Sequence, residues 1–385
     1  MGEFDRENAF ILLVARGTLS EEERTKFEEL LNAGLEWGYV SAQMERHRLF
    51  PLLASHWQSC GTAKNLETVL NEGKNNCTRR IRRSRILDRE LCWLAESLAQ
   101  KNITYAVLKG PILAHAVYDH PRKRVYTDID ILVKKSDADA VSKIIKEQGY
   151  IQGQFDKEKQ EIVPAPRKNV LWCSMYIHQL YPFYRVVEQC PCKVEVQTKF
   201  FPLYENINHN LGSVDLSTSA DCWQTRGMIE MNDKRISTLN WKYFLLQLCL
   251  HAYMDEVSIE RIVYNNGVRL RHYCDIRELL KRKRDKINLE DFITLVESTG
   301  TNKSIYYILA NLSTIYGDML EMVLYILDEI RPKSLSFMNE FGHQWEIIGK
   351  KRGQFSKPFV ERIFGNSAQE DFERQKHLFR NRNSA

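Results

Sequence analysis

The chain has 385 residues, 43% apolar and 27% charged, which leaves room for two or three domains with substantial cores. A formal charge of +5 over that length is too mild to demand nucleic acid as a partner. No stretch approaches the roughly 18 uninterrupted apolar residues of a membrane span, the opening MGEFDRENAF lacks the basic-then-apolar layout of a secretory signal, and the nine cysteines lack CxxC or finger-like His spacing, so the expectation is a cytoplasmic protein with free thiols and no structural zinc.

Residues 1–100 read as a helical region. Ser20 has the character of an N-cap with Glu23 at the capping-box position, and Phe27, Leu30, Leu31 and Leu35 recur at helical spacing. A further helix runs through Leu87, Leu91, Leu94 and Leu98, preceded by the basic run Thr78–Arg85. That run reads as a solvated helix face, with electrostatic guidance of a triphosphate or acidic acceptor as the alternative. A second run, Lys281–Arg284, suits a helix C-terminus.

Residues 101–215 have mixed α/β character. A strand over Ile103–Leu108 is followed by a Lys109-Gly110 turn, a helix, a polar loop and a strand that opens Asp128-Ile129-Asp130. Ser136 is expected to cap the next helix, which Gly149 ends. Residues 151–170 read as loop with a short strand. Strands are then expected over Leu171–Tyr176 with Ile177-His178, over Arg185–Val187 and over Lys193–Gln197. Residues 216–348 read as a C-terminal helical domain with helices over Trp241–Tyr253 and through Val268–Leu280, and 349–385 as a polar, partly docked tail. No internal repeat or low-complexity tract is present.

The chemistry concentrates in 108–133. Side chains two apart on a strand share a face, so Asp128 and Asp130 stand together while Ile129 and Ile131 enter a core. Two carboxylates that close repel each other, and a divalent cation removes that cost. Oxygen-only ligands suit Mg²⁺ or Mn²⁺, with waters and substrate phosphates completing the shell. In Lys193–Gln197, Val194 and Val196 face one way, Glu195 and Gln197 the other, so Glu195 supplies a third acid if the strands are neighbours. Such a triad fits a two-metal phosphoryl-transfer site. Gly110 lets backbone approach a phosphate at a helix N-terminus. Lys109 adds a point charge, and Arg124, four residues before Asp128, reaches a phosphate from the loop.

This arrangement resembles the DNA polymerase β-like nucleotidyltransferase superfamily, and more closely its uncharacterised nucleotidyltransferase group. Lys109, Gly110, Arg124, Asp128 and Asp130 fall on that group's LKG turn and R-x-x-x-D-[IV]-D strand; His178 and Glu195 match its histidine-bearing strand and its V-[ED]-[LV] strand. Arg269–Ile276 and Arg46–Leu53 are similar to its helical elements. The likeness covers about residues 5–345. It implies an α+β fold: a mixed-sheet nucleotidyltransferase core flanked by N-terminal helices and a C-terminal helical domain. Asp128, Asp130 and Glu195 would be catalytic metal ligands, and Lys109, Gly110, Arg124 and His178 would bind nucleotide. Two departures stand out. Gln197 occupies a position where the group often has histidine, and superfamily members commonly carry a Gly-Ser turn and a shorter path to the DxD strand than the Lys-Gly-Pro turn here.

The implied activity is Mg²⁺-dependent transfer of a nucleoside monophosphate from an NTP, ATP by analogy, to a hydroxyl on a small molecule, peptide or protein. A nucleotide-activated sugar or phosphosugar donor is the second expectation, and a non-catalytic nucleotide-binding regulator or antitoxin-like module the third. For His251, Arg271 and Asp275 the bland expectation is an Arg271–Asp275 ion pair at i, i+4 spacing.

Overall fold

The computed structural model describes residues 4–60, 67–177, 179–200, 219–317, 321–342 and 352–379. It divides into two compact units. One is built mainly from Met1–Lys74 and Leu248–Ala385, the other mainly from Asn75–Asn208 and Val214–Gln247. The division therefore differs from boundaries at 100, 215 and 348. It falls within the helices Glu67–Gln100 and Trp241–Val257, and a continuous helix carries no turn or loop signal at such a point.

The second unit holds an eight-stranded mixed sheet in the order β4-β3-β5-β6-β2-β1-β8-β7. Its strands are β1 (Tyr105–Leu108), β2 (Ile129–Val133), β3 (Ile151–Asp156), β4 (Glu161–Pro164), β5 (Phe183–Val187), β6 (Cys190–Gln197), β7 (Gly227–Met231) and β8 (Lys234–Thr238). The centre is the informative part. β1 runs antiparallel to β2, and β2 runs parallel to β6 with Ile129 opposite Val194, Asp130 opposite Glu195 and Ile131 opposite Val196. Ile129, Ile131 and Val196 are fully buried, each contributing about 1.5–3 kcal/mol of burial. A one-residue slip would turn these chains to the polar face and the carboxylates into the core, so packing fixes the register that sets Asp130 beside Glu195.

Within residues 151–170, 151–164 form the β3–β4 hairpin, with Gln154 opposite Val163. Leu171–Ile177, expected as strand, is helical: an α-helix over Arg167–Trp172 continues as a π-helical turn over Cys173–Ile177. A short apolar run is compatible with either state, and here Pro166 starts the helix. The helix expected to be capped by Ser136 begins at Ala138, after a 3-10 turn over Lys135–Asp137. The β7–β8 hairpin lies in the region expected to be helical, and β8 adds to the sheet beside β1 through Val107 and Thr238.

In the first unit Ser20 and Glu23 form the expected capping box. Residues 352–379 dock more fully than a polar tail would. A strand over Gly353–Gln354 pairs with Glu340–Phe341, and Phe355 and Phe379 join Phe341, Ile259 and Ile262 in a buried cluster. Four aromatic and branched side chains at 355, 359, 363 and 379 outweigh the local charge. No helix among the described residues is long and apolar enough to cross a membrane.

Candidate active site

Carboxylate oxygens of Asp128, Asp130 and Glu195 lie within 4.8 Å of one another. Asp128 sits immediately before β2, Asp130 is its second residue, and Glu195 comes from the parallel neighbour β6. Asp130 is buried; Asp128 and Glu195 are half-buried. The three acids thus meet on one face of two adjoining strands.

Two lysines answer this charge. Lys109 Nζ donates to Asp130 Oδ1 at 2.9 Å. Lys193, two residues before Glu195 on the same strand face, forms an ion pair with it. Burial is the largest influence on Asp130 and, with the charges of Asp128 and Glu195, overcomes Lys109 and pushes its carboxyl up to about 7. Burial also opposes ionisation of Glu195, but Lys193 and Lys109 outweigh it and hold that carboxyl below the usual range. Lys109 is half-buried, and although desolvation opposes its charge, Asp130, Glu195 and Asp128 raise its affinity for the proton above that of an ordinary lysine. Gln197, also on this face, donates from Nε2 to Asp130 Oδ1 at 3.4 Å, and its buried Oε1 finds no partner.

The turn after β1 aims Lys109. Its φ of +54° with ψ of −120° is an uncommon backbone conformation for a residue with a side chain, costing about 1–3 kcal/mol. Leu108 lies opposite Asp130 in the β1–β2 ladder, so this turn brings the lysine back over β2. Gly110 is buried, and a Cβ there would lie 2.5 Å from Cβ of Tyr126. The glycine therefore makes room for Tyr126 in the loop that leads into Asp128.

That loop is clamped by the helix Glu67–Gln100. Arg83 Nη2 donates to the carbonyl of Thr127 at 2.6 Å, and Ser84 Oγ bonds both the N–H and the carbonyl of Tyr126. The Tyr126 hydroxyl donates to Asp88, which His115 Nε2 also contacts at 2.9 Å. The basic run thus contributes structural contacts, through Arg83 and Ser84 to this loop and through Arg82 Nη2 to the carbonyl of Glu188 at 3.2 Å. Arg124 Nη1 donates to the carbonyl of Val125 at 2.9 Å. His178 lies outside the described residues.

The structure therefore brings together Lys109, Asp128, Asp130 and Glu195, with Gly110 supporting the loop from below. Sequence reasoning missed Lys193, although its i, i+2 relation to Glu195 on a strand places it on the same face. It also missed the clamp by Arg83 and Ser84, for which no local signal exists.

The donor set fits a hard divalent cation. Three carboxylates share a small space, and burial, with their mutual repulsion added, pushes one of them towards neutrality despite a lysine at hydrogen-bond distance. Asp128, Asp130 and Glu195 are the side chains that would hold it.

No curated protein matches the sequence. Among solved structures, an antigenic nucleotidyltransferase-like protein from Paracoccidioides brasiliensis is similar at 14% identity, covering 62% of this chain and 92% of that one, with a TM-score of 0.29. A family model described as uncharacterised nucleotidyltransferase matches residues 33–317. With the greater part of its length inside that match, the chain belongs to the uncharacterised nucleotidyltransferase family.

Proposed function

We propose that the chain is a Mg²⁺-dependent nucleotidyltransferase that moves a nucleoside monophosphate from an NTP to a hydroxyl on a small molecule, peptide or protein. The observation that supports this reading is the closure of Asp128, Asp130 and Glu195 to within 4.8 Å across a fixed strand register. When bound, the divalent cation supplies charge compensation for the triphosphate and lowers the pKa of the attacking hydroxyl. Asp128 and Asp130 would hold that cation as ligands. Glu195, kept ionised by Lys193 and Lys109, completes it and assists loss of the hydroxyl proton. The hydroxyl oxygen forms a bond to the α-phosphorus, the bond from that phosphorus to the bridging oxygen breaks, and pyrophosphate leaves. Lys109 and Arg124 hold phosphate oxygens, Lys109 from a position already facing the carboxylates.

The Lys109-Gly110-Pro111 turn gives a second reading some weight. Pro111 offers no N–H at the start of the helix Gly110–Ile112, and the space above Gly110 is taken by Tyr126. A donor held more by side chains than by a backbone cradle, such as a nucleotide sugar, is the alternative. Thermal shift with the four NTPs and several nucleotide sugars, each with Mg²⁺ or Mn²⁺, separates the two, because a ligand that binds only the native state raises its melting point. The mass gained by an acceptor then decides: a nucleotidyl group adds phosphorus and a base, a hexose neither. If no nucleotide stabilises the protein, both readings fail and a non-catalytic role takes their place.

A further inference from the structure

A second ligand-like cluster lies in the other unit. His251 and Asp255 are four apart on the helix Trp241–Val257, so they share one face of it. His272 comes from the helix Leu270–Lys283. One ligand atom from each of the three lies within 4.8 Å of the others, and the two imidazole centroids are 5.4 Å apart. Asp255 is buried and its two oxygens have different partners. Oδ1 meets Arg261 Nε at 3.2 Å, while Oδ2 stands 3.9 Å from His272 Nε2 and 4.0 Å from Arg269 Nη1. The imidazole of His272 is poorly satisfied: 3.9 Å is beyond hydrogen-bond range, and its buried Nδ1 has no partner. Buried polar atoms nearly always have partners, so an orphaned imidazole beside a second imidazole and a carboxylate needs an explanation.

We infer that His251, Asp255 and His272 form a binding site for a divalent transition-metal ion of the zinc class, which clasps the two helices. Two imidazoles and one carboxylate suit Zn²⁺ and its neighbours and do not suit Mg²⁺. Arg261 holds the non-ligating oxygen of Asp255, the arrangement by which outer contacts orient a metal-bound carboxylate. Three protein ligands leave a coordination position open. Arg261 and Arg269 beside it favour an anion or hydroxide there and disfavour a second cation.

Cobalt(II) serves as a coloured probe on the full-length, chelator-treated chain. The expected result is one Co²⁺ per chain, with visible bands of nitrogen–oxygen coordination, displaced by Zn²⁺. His251→Ala and His272→Ala should each weaken Co²⁺ binding at least about tenfold, since even outer-contact changes cost roughly 10–100-fold in affinity. The Asp128→Asn/Asp130→Asn variant should keep the bands. Zn²⁺ should also raise the melting point of the unmodified chain, a readout that stands if His272→Ala fails to fold. Absence of visible bands, bands that survive His251→Ala unchanged, or thiolate charge-transfer bands pointing to cysteine ligands would each overturn the assignment.

Discussion

The two ligand clusters answer the same problem, a buried carboxylate, in opposite ways. At Asp130 the neighbours are two more acids, and the compensation comes from lysines: Lys109 on Asp130 and Lys193 on Glu195. At Asp255 the neighbours are two imidazoles and two arginines. The consequence is visible in ionisation. Asp130 is pushed up towards protonation, chiefly by burial and then by Asp128 and Glu195 acting against Lys109, whereas Asp255 is held below the usual range although burial opposes it, because His251, His272, Arg261 and Arg269 all favour its charge. One site has a surplus of negative charge and oxygen ligands only, which calls for a hard cation. The other has nitrogen ligands in a positive surround, which calls for a softer ion carrying an anion. Lysine and arginine also divide by role. The mobile point charge of lysine can exchange a carboxylate for a phosphate, while the planar fork of arginine holds a carboxylate in place.

The comparison is broken most severely by removing the acids of one site alone. Asp128→Asn with Asp130→Asn should lower nucleotidyl transfer by at least about 10³-fold, the scale on which catalytic groups act together, while cobalt binding at His251, Asp255 and His272 persists. Loss of both together, in a variant with native circular dichroism, would mean that the clusters are not independent.

Lys109→Met tests the lysine compensation. One-sided loss of a buried ion pair costs about 3–5 kcal/mol, with protonation of Asp130 limiting the loss, so chemical denaturation should show a decrease that is larger at pH 8 than at pH 5. Lys109 lowers the Asp130 pKa, so its removal should also shift the pH profile of Mn²⁺ binding to more alkaline values. A smaller effect is expected from Gly110→Ala. The added Cβ meets Tyr126 Cβ at 2.5 Å, and such overpacking costs about 1–3 kcal/mol; an unchanged melting point would contradict the packing given for this turn.

The mildest test is pH itself. With its folded-state carboxyl at about 7 and an unfolded value near the ordinary 3.8, Asp130 holds its proton in the folded state across that window. Its neutral form favours folding fully below the unfolded value, and that contribution is lost as pH rises to about 7. A divalent cation must displace this proton, so Mn²⁺ affinity should weaken by up to about tenfold per pH unit below 7 and level off above it. A flat profile between pH 5 and 8 would remove Asp130 from the ligand set.

What the sequence revealed followed short-range periodicity. The two-residue repeat set Asp128 with Asp130 and Glu195 with Gln197, and buried Ile129 and Val196 behind them. The Ser20–Glu23 capping box is likewise a three-residue signal. What stayed hidden depends on distant partners. Cysteine spacing says nothing about a site whose ligands are His251 and Asp255 on one helix and His272 on another. The β7–β8 hairpin did carry a local cue, Asn232-Asp233, both in positive-φ conformations between the strands. The corresponding Glu188-Gln189 turn between β5 and β6 has the same backbone with no such cue. The docking of Phe355 and Phe379 and the hold of Arg83 on Thr127 are tertiary facts with no local trace.

Electron paramagnetic resonance titration of Mn²⁺ with a non-hydrolysable NTP analogue tests the central claim most directly. The account predicts that the wild-type chain takes up Mn²⁺ with the nucleotide, and that Asp128→Asn with Asp130→Asn, and Glu195→Gln alone, each abolish this uptake while native circular dichroism is retained. Equal Mn²⁺–nucleotide binding in wild type and variants would contradict it.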